Sequence, residues 1–345
     1  MSTTMSHKIA GFFPGQGSQQ VGMGRAFYDE FTVFRQAIEE ASDSLSFNLK
    51  KLMFDGPEAD LMLTENAQPA ILAVSTGCYR VAEMELGLKL DVHLGHSLGE
   101  YSALVASEAI PYSNAIKWVN ERGLAMQKAV PVGEGTMSAI IGAEDAQVIE
   151  WCKEATLSAS AARKVSEHAF TVACVVEPAN FNAPGQVVVS GSVDAVDALE
   201  KLIAKKVSDE KIRGLMAKRL QVSAPFHCSL MKLARDKMDS IFEAAKKDGL
   251  LSPLQVPYIP NRTARITQES GVVFPLLSEQ VDHSVMWKQS VESLLPEYKK
   301  AFEFGPGKVL QGLAKRIAKN VPDATLEVFP IFDLESLKLA EGALK

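Results

Sequence analysis

VHLGHSLGEYSALVAS, running from Val92 to Ser107, passes from strand chemistry to helix chemistry across one sharp turn. Val92-His93-Leu94 reads as a short buried strand, Gly95 to Gly99 as the turn, and Glu100 to Ser107 as a helix. The turn fits the pattern G-x-S-x-G. A serine in that place sits on a strained bend with its hydroxyl projecting from the sheet, and the glycines let neighbouring backbone pass without a side-chain clash. Because a helix begins just after Ser97, its free N–H groups and dipole favour a negative oxygen there. The alternative for so short a motif is an ordinary tight turn.

Working outward, Lys8 to Phe13 (KIAGFF) reads as another short buried strand, running into the Gly-rich loop Pro14 to Gly24. Ala67 to Leu86 has apolar residues at helical spacing, with Pro69 where a first turn tolerates it. Tyr112 to Ala129 is a longer helix closed by Pro131 and Gly133. The rhythm then changes. Strands are expected at Thr136–Ile141, Thr171–Val176, Gln186–Ser190 and Arg219–Val222, with helices at Glu144–Lys153 and Val193–Lys205. This β-α-β-β-α-β order is that of a ferredoxin-like unit. Ala155 to His168 is Ala/Ser-rich and reads equally as loop or loose helix. Beyond His227 the spacing gives a helix over Leu230–Lys246, a strand near Val256–Ile259, and a helix through Trp287 and Val291. A final core strand follows at Phe302–Phe304, then a helix over Lys308–Lys319. Alternating strands and helices argue for an α/β chain with a parallel sheet covered on both faces. The expected division is a catalytic domain of residues 1–130 and 221–345, interrupted by a small domain of residues 131–220.

Composition narrows the function. The chain has 345 residues, 47% apolar and 23% charged, with a net charge of −6. That is a soluble globular balance without the global basic field that nucleic acid would need. Four cysteines form no C-x-x-C pair, which fits reduced thiols in the cytoplasm and neither a disulfide framework nor a zinc site. No apolar stretch reaches membrane-spanning length, and Ile9 to Phe13 is too short for a signal segment.

A serine nucleophile needs a base. Of six histidines, His7 lies in the tail, His93 and His96 on the strand and elbow, and His168 in the unassigned stretch. His227, after a strand ending in Pro225, and His283 remain as candidates; the alternative for His227 is a turn histidine. No acidic third member stands out, and a backbone carbonyl can also orient an imidazole. The loop Gly15-Gln16-Gly17-Ser18-Gln19 is neither G-x-G-x-x-G nor a Walker A loop, so it reads as an oxyanion donor or a plain turn. Arg122, mid-helix among apolar residues, is either a solvated helical arginine or a carboxylate clamp.

Seven ordered segments then resemble one family. They are Phe13 to Gln19 (FPGQGSQ), Ala67 to Ala70 (AQPA), Gly95 to Leu104 (GHSLGEYSAL), Arg122-Gly123 with Met126-Gln127, Asn180 to Gly191 (NFNAPGQVVVSG), Val222 to Met231 (VSAPFHCSLM), and Phe304 to Lys308 (FGPGK). Together they resemble the malonyl-CoA:acyl carrier protein transacylases, related to the acyltransferase domains of fatty-acid and polyketide synthases. The resemblance implies an α/β-hydrolase-like large domain with a ferredoxin-like insertion. It implies Ser97 as nucleophile and His227 as general base, the latter held by main-chain carbonyls, one of them from Gln280. It implies an oxyanion hole from the backbone N–H groups of Gln16 and Leu98, Arg122 as partner of the malonyl carboxylate, and Gln68 and Asn182 near the acyl pocket. The stretch from Ala155 to His168 looks longer than the family's usual connection.

The expected activity is malonyl transfer from malonyl-CoA to the phosphopantetheine thiol of holo acyl carrier protein, by a ping-pong route through malonyl-Ser97, in fatty-acid synthesis. The expected enzyme is a cytoplasmic monomer with no cofactor, metal, nucleic acid or membrane partner. A trans-acting polyketide acyltransferase would use the same residues. A thioesterase would share the elbow but release free malonate. A non-catalytic carrier-binding protein would not need Ser97 and His227 together.

Overall fold

The computed structural model of the chain describes residues 8–164, 171–222 and 224–345. Its strands are β1 (Lys8–Phe13), β2 (Val92–Gly95), β3 (Gly135–Ile141), β4 (Val176–Ala183), β5 (Gln186–Ser192), β6 (Met216–Arg219), β7 (Tyr258–Ile259), β8 (Tyr298–Phe304) and β9 (Glu327–Ile331). Five of them form a parallel sheet in the order β7-β2-β1-β8-β9. The period of two along β1 places Ala10 and Phe12 in one core, with Val92, Leu94 and Trp287. Phe13 enters the opposite core, with Phe34, Ile71 and Phe304. Both faces are therefore covered, as a parallel sheet requires. Each such phenylalanine contributes roughly 1.5–3 kcal/mol by leaving water.

The helix Thr64–Leu86 is buried along most of its length. It begins earlier than its spacing suggests, so Pro69 lies inside it and not in its first turn as expected. The ring denies the Glu65 carbonyl its helical N–H donor. Asn120 Nδ2, from the adjoining helix Tyr112–Lys128, donates to that carbonyl at 2.8 Å instead. The proline is thus tolerated because a neighbour supplies the missing bond.

The second sheet is antiparallel, in the order β4-β5-β3-β6. With the helices Asp145–Arg163 and Val193–Asp209 it forms a β-α-β-β-α-β unit with ferredoxin-like strand order. Its first helix runs ten residues past the expected Lys153, so Ala155 to Arg163 is helical; His168 lies outside the described residues. The strand expected at Thr171–Val176 is instead β4, Val176–Ala183. Register shifts between Pro178 and Asn180 and between Phe181 and Ala183 break its alternation, which hides it from a period-two reading. The strand expected at Arg219–Val222 lies earlier, as β6. Phe302–Phe304 belongs to β8 but is not the last strand; β9 follows it at the sheet edge.

β4 joins the small unit to the segment that precedes the helix Trp287–Leu294. Phe181 N donates to the Val285 carbonyl at 3.0 Å, and Val285 N donates to the Ala179 carbonyl at 2.8 Å. No helix among the described residues is long and apolar enough to cross a membrane.

Candidate active site

The parallel strands all point the same way, and the loops after their C-terminal ends gather at one edge of the sheet, where open α/β sheets form sites. The turn after β2 holds Ser97 at φ 52°, in the left-handed region. For a serine that conformation costs roughly 1–3 kcal/mol and persists only where the surroundings enforce it. Gly99 shows one such constraint. A Cβ at that position would sit 2.0 Å from the Phe13 carbonyl oxygen, so only glycine lets the helix Gly99–Ala106 start this close to β1.

His227 arrives on the segment that returns from the small unit, and it too has a positive φ, 60°. Its Nε2 lies 2.6 Å from Ser97 Oγ, and its Nδ1 lies 2.8 Å from the Gln280 carbonyl oxygen. A carbonyl can only accept, so Nδ1 carries the hydrogen and Nε2 presents its lone pair to the hydroxyl. The imidazole is 4% exposed. Burial is the main cause, and the Arg122 charge the next, that pulls its pKa down to about 3. His227 is therefore neutral, as a proton acceptor must be.

Arg122 is 2% exposed and makes no ion pair among the described residues. Its Nη1 donates to Gln68 Oε1 at 2.8 Å, and its Nη2 to Gln280 Oε1 at 2.8 Å and to Ser97 Oγ at 3.2 Å. Burial lowers its pKa without neutralising it. A buried guanidinium held by two amide oxygens and the Ser97 hydroxyl, and lying 5.7 Å from the Tyr101 ring centre, has the chemistry to pair with an anion. The solvated-arginine alternative does not describe it.

Glu100, fully buried, accepts at Oε2 from Gln280 Nε2 at 2.7 Å and from Asn261 N at 3.1 Å. Burial raises its pKa to about 7, against the pull of those two donors and the Arg122 charge. The loop after β1 lies over the elbow: a Cβ on Gly15 would approach the His96 carbonyl oxygen to 2.5 Å. The backbone N–H groups of Gln16, in that loop, and of Leu98, at the helix start, take no acceptor among the described residues.

The structure thus brings Ser97, His227, Arg122, Gln68 and Gln280 into one hydrogen-bonded cluster. Asn182 does not touch a reacting atom; its Oδ1 lies 2.8 Å from His96 Nε2, tying β4 to the elbow. His283 does not reach Ser97. It pairs with Asp282 at 2.6 Å, its side chain 44% exposed. His93 is buried against Ser107 Oγ at 2.8 Å. His7, His168 and Ser223 lie outside the described residues. Among the described residues no group of three His, Cys, Asp or Glu could hold a metal ion.

Nothing in the sequence singles out Asn261 or gives Glu100 a role. Asn261 Oδ1 accepts from Ser97 N at 2.7 Å, and its Nδ2 donates to the Gly95 carbonyl at 2.6 Å. The usable signal was its place just past β7. That strand pairs with β2 in register Leu94 to Ile259, so two residues onward Asn261 is level with His96.

The chain is similar to known proteins over nearly its whole length. Residues 12–249 match the family model of the acyl transferase domain. The malonyl CoA-acyl carrier protein transacylase of Bacillus subtilis (strain 168) is 36% identical over 339 residues, which span 98% of both proteins. The crystal structure of an acyl carrier protein S-malonyltransferase from Vibrio cholerae superposes with a TM-score of 0.84 at 39% identity, covering 96% of this chain and 99% of that one. A malonyl-transacylase solved in complex with a holo type II polyketide acyl-carrier protein gives a TM-score of 0.85 at 36% identity, covering 97% and 99%.

Proposed function

The chain belongs to the malonyl-CoA–acyl carrier protein transacylases of the acyl transferase family, and from that membership we propose that it moves a malonyl group from malonyl-CoA to holo acyl carrier protein, for fatty-acid synthesis, through an ester on Ser97. The observation that carries the reading is the unpaired buried Arg122 guanidinium 3.2 Å from Ser97 Oγ. It offers a carboxylate site at the distance of a short diacid from the nucleophile.

His227 Nε2 takes the Ser97 proton as Oγ attacks the thioester carbonyl. The N–H groups of Leu98 and Gln16 receive the oxyanion, each worth about 3 kcal/mol by analogy with other acyl transfers. Collapse breaks the C–S bond, and the departing CoA sulfur takes the proton from His227. In the second half the phosphopantetheine thiol gives its proton to His227 and attacks the ester, and Ser97 leaves with that proton. Gln280 holds the imidazole by its carbonyl, and Gln68 and Gln280 hold the guanidinium by their amides. Four cysteines without a disulfide agree with a reducing cytoplasm. The proposed chemistry uses only side chains and backbone, so it needs no cofactor, and the site is complete within one chain, so it needs no second subunit.

The test is product partition. With malonyl-CoA and holo carrier protein, the expected product is malonyl-carrier with little free malonate. Free malonate formed at the same rate without carrier would make the chain a thioesterase. The same assay reads the pH dependence. A base with its pKa depressed to about 3 stays unprotonated as pH falls through the ordinary histidine range. His227 is therefore expected to contribute no acid limb to kcat/KM between about pH 8 and 6. A limb near about 7 that Glu100→Gln removes would belong to Glu100; an acid limb centred near about 6.5 that survives this substitution would show a solvent-exposed base instead.

A further inference from the structure

The Ser97 peptide is held by side chains on both of its sides, and one of these, Asn261, does so in a way that fixes where the nucleophile points. We propose that Asn261 is a positioning residue for acyl transfer: its amide brackets the elbow by accepting from Ser97 N and donating to the Gly95 carbonyl, holding Oγ against His227. This rests on the Ser97 reading above and deepens it.

Ser97 N has no backbone acceptor among the described residues; its bond is the one to Asn261 Oδ1. The two backbone groups that Asn261 grips flank the point where the strand turns over. Its own N–H donates to Glu100 Oε2, which also accepts from Gln280 Nε2, and that amide donates to the Ser97 carbonyl at 2.9 Å. Both peptide groups of a serine at φ 52° are thereby tied to one buried carboxylate. Asn261 is 1% exposed, so water does not replace it. The arrangement also directs the Ser97 N–H to Asn261 and not to the substrate, which leaves the Leu98 N–H as the elbow's donor to an acyl oxygen. Only an amide meets both demands: a carboxylate lacks the donor for Gly95, and an aliphatic side chain lacks both atoms.

The experiment compares wild type, Asn261→Ala and Asn261→Asp in single-turnover acylation by malonyl-CoA, and in sulfonylation of Ser97 by phenylmethylsulfonyl fluoride. That reagent carries no carboxylate for Arg122. Asn261→Ala is expected to slow both reactions about 100-fold, the usual cost of a small misplacement of reacting groups. Half-saturation by malonyl-CoA should stay within about threefold, because Arg122 is untouched. Near-wild-type acylation by folded Asn261→Ala would overturn the proposal. Should that variant not fold, Asn261→Asp decides: it keeps the acceptor but loses the donor, and is expected to be slower than wild type, whereas wild-type rates in both reactions would remove the bracket. The sulfonylation arm separates the two readings. If malonyl-CoA leaves wild-type Ser97 unlabelled, the function fails, yet slower sulfonylation of Asn261→Ala would still support the bracket.

Discussion

Ser97→Ala is expected to slow malonyl transfer by at least about 10⁴-fold and to leave no malonyl group covalently bound to the enzyme. The size follows from how the site is wired. Oγ donates its hydrogen to the His227 Nε2 lone pair at 2.6 Å and accepts an Arg122 N–H at 3.2 Å. Without it no acyl-enzyme forms, so both halves of the cycle stop together. What remains is the binding of thioester near two amides, which would still favour slow direct attack by the carrier thiol. The comparison variant is His283→Ala. His283 points at Asp282 and does not touch the nucleophile, so transfer should be nearly unchanged. Initial rates in both variants check the pair: full transfer by Ser97→Ala would place the nucleophile elsewhere, and a large loss in His283→Ala would give that histidine a part in the chemistry.

Arg122→Ala is expected to lose malonyl transfer by roughly 10²- to 10³-fold while losing far less acetyl transfer, so that the preference between the two falls steeply. A carboxylate brought into this buried site without its cation costs about 3–5 kcal/mol, and an acetyl group brings none. A second consequence concerns the base. The Arg122 charge is one of the causes that depress the His227 pKa. A malonyl carboxylate paired with Arg122 would offset that charge and restore basicity as the substrate seats; an acetyl group would not. Specificity should therefore show in kcat as well as in KM. Parallel kinetics with malonyl-CoA and acetyl-CoA read this directly, and equal losses for both would take Arg122 out of specificity.

The chemistry was more legible in the sequence than its supports. Ser97 could be read because its constraint is local: a strand, two glycines and a helix within sixteen residues. The parallel sheet and the β-α-β-β-α-β order were legible for the same reason, since each rests on periods of two or 3.6 within one segment. β4 was displaced because its shifts of register destroy the period, and β9 escaped because Pro330 weakens a strand pattern. The helices Arg25–Glu30, Leu49–Asp55 and Glu58–Leu61 are too short to show a repeat. Asn261 and Ser97 are 164 residues apart. Their pairing depends on β7 lying beside β2, which is a property of the fold and of no single segment. Arg122 shows the limit most clearly, because its helix alone gives both a solvated cation and a clamp. Only its burial against Gln68 and Gln280, from two other helices, removes the solvated reading.

The most direct measurement is peptide mapping by mass spectrometry after a brief exposure to malonyl-CoA, followed by a chase with holo carrier protein. The expected result is one malonyl group on the peptide bearing Ser97, discharged by the chase with its appearance on the carrier. Malonylated carrier formed while Ser97 stays unmodified, or a malonyl ester at another residue that discharges just as well, would contradict the account.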